Sequence, residues 1–190
     1  MDPASTRSRL LQSAAHVFLQ HGLSAASMEQ VRQHAGASNG SLYHHFPTKG
    51  QLADALYADT LRGYHAAVMR PIAGRASAQN GVKGMVRAHV DWVVANPARA
   101  RLLQQLRHAR ELAGGEWQEA NAEGFAVLRA WVDKQQAAGA LRAMPFGVWV
   151  AVVFAPVISL TRHWVGQSQT SVAPKVRAAL EHAAWMGVCA

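Results

Sequence analysis

Short polar, aromatic and basic side chains gather between positions 27 and 49, and together they could hydrogen-bond to a polyanion. They belong to Ser27, Ser38, Asn39, Ser41, Tyr43, His44, His45 and Lys49. Gly40 has no side chain, so the backbone there could approach DNA closely. Ser27 and Ser38 stand where helices are predicted to begin, and the free amides and positive dipole end of a helix N-terminus attract phosphate. Asn39 and Ser41 are short enough to reach base edges in a DNA groove. The aromatic and basic members can donate hydrogen bonds to phosphates.

Two short helices and a tight turn are predicted to carry these side chains. Residues Ser27–Gln30 form a capping box, so the first of the two helices begins after Ser27. Gly36 supplies the positive φ of a three-residue turn over 35–37. Ser38 caps the second helix, which runs to about His45. The pattern predicts a helix-turn-helix whose second helix enters the major groove, although an ordinary helical hairpin with two good caps would look the same.

The remaining chain is predicted to be helical, because apolar residues recur at helical spacing and nothing alternates with period two. Glycine and proline residues separate the predicted helices. The segment Pro71–Gln79 is rich in Gly, Ala and Ser and is predicted to be a linker at a domain boundary. The predicted helices outside the motif cover about 6–20, 49–69, 80–95, 98–111, 116–138, 146–165 and 172–188. We therefore expect an all-α protein.

Composition and charge restrict the class of protein further. Of 190 residues, 50% are hydrophobic and 16% are charged, which favours a packed core over disorder. The net charge is +8, and the segment 62–110 alone carries nine Arg and Lys residues against one Asp. Such a surplus favours nucleic acid or an anionic ligand as partner. The single cysteine, Cys189, and the absence of a signal-like N-terminus favour the cytoplasm.

One segment is apolar enough to suggest a membrane span. Nineteen uncharged residues lie between Arg142 and Arg162, close to the number that crosses a bilayer. The segment is interrupted by Pro145, Gly147 and Pro156, however. We therefore expect a helix buried in a core or a subunit interface, and no membrane partner.

Residues Ala35–Lys49, in the order AGASNGSLYHHFPTK, resemble the signature of the TetR family of one-component bacterial regulators. The resemblance covers about residues 7 to 60. It implies phosphate contacts from Ser27, Tyr43, His45 and Lys49. It implies that Asn39, Gly40, Ser41 and His44 lie along the groove floor, with Leu42 and Phe46 in the core. It also implies a homodimer whose C-terminal helices form the subunit interface and a ligand pocket.

The chain departs from the family pattern at two positions in the motif. Arg32 stands where the family usually has a small alanine, and Ala37 replaces the usual valine. An inward Arg32 would bury a charge at high cost, so we expect its stem to run outward and its guanidinium to contact phosphate. On that interpretation, removing Arg32 lowers the salt dependence of DNA binding.

All six tryptophans lie beyond residue 90, where they could line a cavity for an apolar effector or fill the core. The expected ligand-binding residues are Met85, His89, Trp92, Leu103, Arg107, Trp117 and Phe125. Trp149, Phe154 and Trp185 are expected at the dimer interface. Arg99, Arg101, Arg107 and Arg110 crowd one helix, which suits a solvated surface, an anion-headed effector or a DNA flank.

These observations predict a DNA-binding domain at 1–50 and a ligand-binding and dimerisation domain at 51–190. The expected function is a transcriptional repressor, released from a pseudo-palindromic double-stranded operator by a small, largely apolar effector. An architectural DNA-binding protein without an effector is the alternative. No spacing suggests catalysis, a cofactor or a metal site; the adjacent His44 and His45 point about 100° apart and cannot easily share an ion.

Overall fold

The structure is a computed structural model that describes residues 3–107, 109, 114–166 and 171–190. Over these residues it is all-α, with nine α-helices, a single 3-10 turn at Arg70–Ile72 and one isolated bridge between Leu141 and Cys189. The helices are α1 Pro3–His21, α2 Met28–Ala35, α3 Asn39–His45, α4 Lys49–Met69, α5 Ala78–Ala95, α6 Pro97–Leu106, α7 Glu116–Ala137, α8 Phe146–Gly166 and α9 Pro174–Val188. The predicted all-α class is confirmed.

One predicted helix is too long in its described part. The sequence pattern placed a helix over 98–111, but α6 ends at Leu106 and Arg107 lies in a turn. Arg110, expected on the same face as Arg99, lies outside the described residues. Of the described arginines in the expected row, Arg99 and Arg101 lie on α6.

The chain divides into two compact units that are not contiguous in sequence. The first comprises Met1–Leu61 and Ala98–Asn121, and the second comprises Arg62–Pro97 and Ala122–Ala190. The helices α4 and α7 each contribute residues to both units. The functional division at residue 50 stays a prediction, since a division by contacts does not test it.

The first unit is built around one stripe of α1. Leu10, Ala14 and Phe18 repeat every four residues and are at most 1% exposed, as the helical spacing predicted. They share a core with Leu42 and Phe46 from the motif. Burying side chains of this size stabilises the fold by about 1.5–3 kcal/mol each.

The start of α7 is fixed within the first unit by polar contacts. The Arg7 guanidinium pairs with both carboxylate oxygens of Glu116, at 3.0 and 3.3 Å. The backbone N–H of Glu116 donates to Oδ2 of the buried Asp54 at 2.8 Å. A carboxylate at a helix N-terminus accepts a hydrogen bond from a free amide, and its negative charge is attracted to the positive end of the helix dipole. Residue Trp117 then packs near Tyr57, with ring centroids 6.1 Å apart.

The second unit has an aromatic core centred on Trp149, which is fully buried. Its ring makes edge-to-face contacts with Trp131 and Phe154, with centroids 6.3 and 6.4 Å away. Gly81 of α5 lets the backbone approach this cluster, because a Cβ there would lie 2.4 Å from the Trp131 ring. Trp131, Trp149 and Phe154 therefore form part of the hydrophobic core of this unit.

A series of hydrogen bonds links the side chains of Tyr64, His89 and Thr161 in the same unit. The Thr161 hydroxyl donates to the Val157 carbonyl, so its oxygen can accept from Nε2–H of His89 at 2.8 Å. His89 Nδ1 then accepts from the Tyr64 hydroxyl at 2.8 Å. When His89 is neutral, each of the three donated hydrogens, from Tyr64, His89 and Thr161, has an acceptor. Burial lowers the pKa of His89 to about 4.

One helix of the described chain, Phe146–Val165, is long and apolar enough to span a membrane by length and composition alone. About 39% of its apolar window is buried inside the molecule. The core helix of a water-soluble protein meets the same criteria. Val153 and Val157 place one face of this helix in the core of the second unit.

Neutral His89 makes stability depend on pH. Between its ordinary pKa of 6.5 and its folded pKa of about 4, the unfolded chain binds the proton that the folded chain refuses. We expect this contribution to be complete above pH 6.5 and to be lost as the pH falls, costing about 3 kcal/mol at pH 4. Urea unfolding of wild type and His89→Gln at both ends of this range measures it. The exposed His21→Gln should retain the wild-type pH dependence. If His89→Gln loses as much free energy of unfolding between pH 6.5 and pH 4 as the wild type does, the assignment to His89 is wrong.

Candidate nucleic-acid interface

The first helix of the motif begins at a complete capping box, as predicted. Ser27 has extended backbone angles, φ −118° and ψ 154°, and its Oγ accepts from the Gln30 N–H at 3.1 Å. The Gln30 side chain in turn accepts from the Ser27 N–H at 2.8 Å. Ser27 is exposed, so the N-terminus of α2 is presented at the surface.

The turn between the helices depends on a left-handed glycine. Gly36 has φ 59° and ψ 35°, and its N–H points back to the carbonyls of Arg32 and Gln33. The Ala37 N–H also returns to the Arg32 carbonyl, at 3.1 Å. These bonds satisfy the last carbonyls of α2 and end the helix. A Cβ at position 36 would meet no atom within 4 Å, so only its backbone angle disfavours other residues.

The second helix, α3, is capped at one end and anchored along one side. Ser38 Oγ accepts from the Ser41 N–H at 3.2 Å. Leu42 is fully buried and Phe46 is 2% exposed. The Arg7 guanidinium lies over the Phe46 ring, 5.5 Å from its centroid. The inward side of α3 is thereby fixed to the first unit.

The opposite side of α3 is open to solvent. Asn39, Gly40 and His44 are exposed, and Tyr43 is 48% exposed, which is unusual for a large aromatic side chain. Ser41 and His45 are half-buried at the edges. No acidic residue lies on α3. This surface combines short hydrogen-bonding groups with an aromatic hydroxyl and no negative charge, which suits contact with DNA.

Arg32 is bonded within the motif. Its Nε and one terminal nitrogen donate to the two carboxylate oxygens of Glu29, at 2.8 and 2.6 Å. Its other terminal nitrogen donates to the Ala37 carbonyl at 3.0 Å. The hydrogen bonds from Arg32, and then from Gln33, hold the pKa of Glu29 at about 2. The guanidinium therefore serves the turn and Glu29, and its expected contact with phosphate stays a prediction.

Lys49 also has partners inside the protein. Its ammonium donates to three backbone carbonyls, of Leu23, Ser24 and Ala26, at 3.0–3.1 Å. An ammonium group has three N–H donors, so all are occupied. In this structure Lys49 therefore joins the segment after α1 to the start of α4, and a phosphate contact would require it to leave a carbonyl.

A family model described as "Bacterial regulatory proteins, tetR family" matches residues 10–56, which contain the capped helices and the turn. The repressor KstR2 of Mycolicibacterium smegmatis is 44% identical over 59 residues. That match covers 31% of this chain and 29% of the repressor's own length. The Mycobacterium tuberculosis repressor Rv1474c is 28% identical over 142 residues, covering 73% of this chain and 71% of the relative.

Solved structures share the fold over almost the whole chain. A TetR-family regulator from Shewanella sp. PV-4 superposes with a TM-score of 0.83 at 20% identity, covering 97% of this chain and 98% of that one. The regulator FadR of Bacillus subtilis, solved with stearoyl-CoA, gives a TM-score of 0.77 at 14% identity, covering 95% and 98%. The chain thus matches the TetR family model over its motif and shares the fold of solved TetR-family regulators.

Most predicted DNA-contacting residues lie at the surface of the motif. Six of the ten are exposed, namely Ser27, Ser38, Asn39, Gly40, Tyr43 and His44. Ser41, His45, Arg32 and Lys49 are half-buried, and the last two are the ones whose charged groups bind protein atoms. Their contacts with DNA remain predictions.

The seven expected ligand-binding residues are divided between the two units. Met85, His89, Trp92 and Phe125 belong to the second unit, where the first three are buried and Phe125 is 36% exposed. Leu103, Arg107 and Trp117 belong to the first unit. Within neither unit does the structure gather all seven around one site.

The expected interface role of Trp149 needs correction. Its side chain is 0% exposed because Trp131 and Phe154 cover it, so it has no surface to offer a partner. Phe154 is 6% exposed and is likewise a core residue. Trp185 is half-buried and remains a candidate. Helix position alone did not distinguish the inward face of α8 from its outward face.

Sequence reasoning missed the residues that support the motif from within. Glu29 precedes Arg32 by three positions, a spacing at which opposite charges meet on a helix, and this signal could have predicted their ion pair. Arg7 carried no such signal, because its partners Phe46 and Glu116 are distant in sequence. Among the residues that the structure describes, no three His, Cys, Asp or Glu side chains gather as a metal site.

Replacing Gly36 and Gly40 separates backbone strain from crowding, since a Cβ at either position meets no atom within 4 Å. Gly36→Ala should destabilise the protein by about 1–2 kcal/mol, because alanine disfavours the left-handed conformation. Gly40→Ala, inside α3, should stabilise it by about 0.5–1 kcal/mol. Urea unfolding monitored by circular dichroism measures both changes, and shifts of the same sign would refute this account of the turn.

Removing Arg32 tests whether it supports the turn or contacts phosphate. We expect Arg32→Ala to weaken operator binding about tenfold through loss of its bonds to Ala37 and Glu29. The slope of log affinity against log salt should not change, whereas a lost phosphate contact would lower it by about 0.9.

The double variant Glu29→Gln/Arg32→Ala is the matched control for charge. It removes the negative charge that Arg32→Ala leaves without a balancing cation, and should therefore recover part of the affinity. A lower salt slope in both variants would instead assign Arg32 to the DNA backbone.

Proposed function

We propose that this chain is a cytoplasmic transcriptional repressor, without catalytic activity, that binds double-stranded operator DNA through α3. The observation that carries the proposal is the outward surface of α3. Asn39, Tyr43 and His44 face solvent while Leu42 and Phe46 fix the other side in the core. A short helix held in this way can enter the major groove without disturbing the fold behind it.

The names of the relatives support repression over activation. KstR2 is named a repressor and shares 44% identity across the motif. The relative Rv1474c, also named a repressor, aligns over 73% of this chain. The shared segment with KstR2 is the DNA-binding part, so its effector does not transfer to this protein.

We propose further that the protein acts as a homodimer through the outer face of α8. Val148 is 49% exposed, and Ala151, Ala155 and Pro156 are exposed on the same apolar helix. On α9, Met186 is 52% exposed. Apolar surface of this extent favours a covering partner, and a second copy would present two recognition helices about 34–36 Å apart.

A small effector would release the operator by favouring a conformation in which the two recognition helices are wrongly spaced. Met85 and Trp92 are buried in the second unit, so a site that opened around them would suit an effector that is largely apolar. The structural neighbour FadR was solved with stearoyl-CoA, an apolar chain with an anionic head. We expect tryptophan fluorescence across a ligand panel to identify the effector.

The sharpest test of DNA binding is a mobility-shift assay on the DNA upstream of the protein's own coding region, with scrambled DNA as competitor. Asn39→Ala should reduce discrimination between the two DNAs by about 1–3 kcal/mol, because an asparagine on the groove floor can read a base edge. The exposed Asn80→Ala on α5 is the matched control and should bind as wild type does. Equal affinity of the wild type for both DNAs would reject a sequence-specific repressor and favour an architectural protein.

A further inference from the structure

A cavity of about 480 Å³ lies within the first unit, between α1, α4 and α6. Its volume is typical of sites for small molecules. None of the seven residues expected to bind an effector lines it, and neither does any predicted DNA contact. The cavity is therefore separate from both predicted sites.

The floor of the cavity is apolar. Leu11, Leu56 and Leu102 contribute one side chain from each helix, and each is at most 5% exposed. Thr60 also lies there, but its hydroxyl donates to the Leu56 carbonyl at 2.8 Å. Only lone pairs of the Thr60 oxygen remain for a ligand. The floor thus favours a hydrocarbon or aromatic group.

The rim of the cavity carries charged and polar side chains. Ser8, Gln12, Asp59 and Arg99 line it and are exposed. Arg7 also lines it, but its charge is balanced by the ion pair with Glu116.

Asp59 and Arg99 are the two other charged residues that line the cavity. Neither forms a hydrogen bond or ion pair with any residue in the described part of the chain. The rim therefore offers one negative and one positive group to a ligand.

We propose that this cavity binds a small zwitterion with an apolar body, of the class of apolar amino acids and short peptides with free ends. The apolar body would lie on the leucine floor, the ammonium beside Asp59 and the carboxylate beside Arg99. A simple anion would gain Arg99 but meet the charge of Asp59, and a simple cation would meet the opposite conflict. Only a ligand with both charges satisfies both groups.

Three probes with the same phenyl body test this charge requirement. L-phenylalanine carries both charges, hydrocinnamate carries only the carboxylate, and phenethylamine carries only the ammonium. Each is titrated into the full-length protein without DNA, and binding is followed by ligand-detected NMR. Because no DNA is present, the result does not depend on the proposed repressor function. We expect L-phenylalanine to bind at least about tenfold more tightly than either other probe.

Two conservative variants should change the ranking of the probes, which a general folding defect would not do. Asp59→Asn should bind hydrocinnamate as tightly as L-phenylalanine or more tightly, because the ammonium that hydrocinnamate lacks no longer has a carboxylate to pair with. Arg99→Gln should likewise bind phenethylamine as tightly as L-phenylalanine or more tightly. The matched controls are Arg101→Gln on α6 and Asp133→Asn on α7, both exposed and outside the cavity lining. They should keep the wild-type order.

The result expected is saturable binding of L-phenylalanine with the stated reversals. The proposal is overturned if no probe binds saturably, or if one of the singly charged probes binds the wild type most tightly. It is equally overturned if the cavity variants preserve the wild-type order, or if the control variants change it.

Discussion

The candidate interface depends on the burial of Leu42 and Phe46 beneath α3. A seven-residue helix is too short to be stable alone, because nucleation costs more than its few hydrogen bonds return. Its conformation is therefore imposed by packing against the first unit, with Ser38 satisfying an amide at its start. Once the inward residues are fixed, Asn39, Tyr43 and His44 must face outward. The chemistry of the surface follows from the packing behind it.

A second constraint concerns Arg32 and Lys49, the two cations of the motif. Both use their charged groups to bind backbone carbonyls of the protein itself. Arg32 fixes the carbonyl of Ala37 immediately before the recognition helix, and Lys49 fixes three carbonyls after α1. Both side chains leave their formal charge near the interface. Their contribution to DNA affinity would then come from a correctly oriented α3 and not from bonds to phosphate.

Local features were predictable from the sequence, and features that depend on distant contacts were not. The capping box at Ser27, the left-handed Gly36 and the stripe of α1 each follow from residues within four positions of one another, and all are present. The inward placement of Trp149 and the carbonyls bound by Lys49 depend on which helices become neighbours. Hydrophobicity marks a side chain as suited to burial, but it does not say whether the same chain or a partner covers it.

The discontinuous first unit gives α1 two separate roles. One of its faces, with Leu10, Ala14 and Phe18, supports the core beneath α3, while Leu11 on an adjacent face lines the cavity beside α6. A ligand in that cavity and DNA at α3 would therefore both act on the placement of the same rigid helix. Binding linkage is reciprocal, so if the ligand and DNA favour different positions of α1, each lowers the affinity of the other by the same factor. That coupling needs no contact between the two ligands, only a helix shared by both sites.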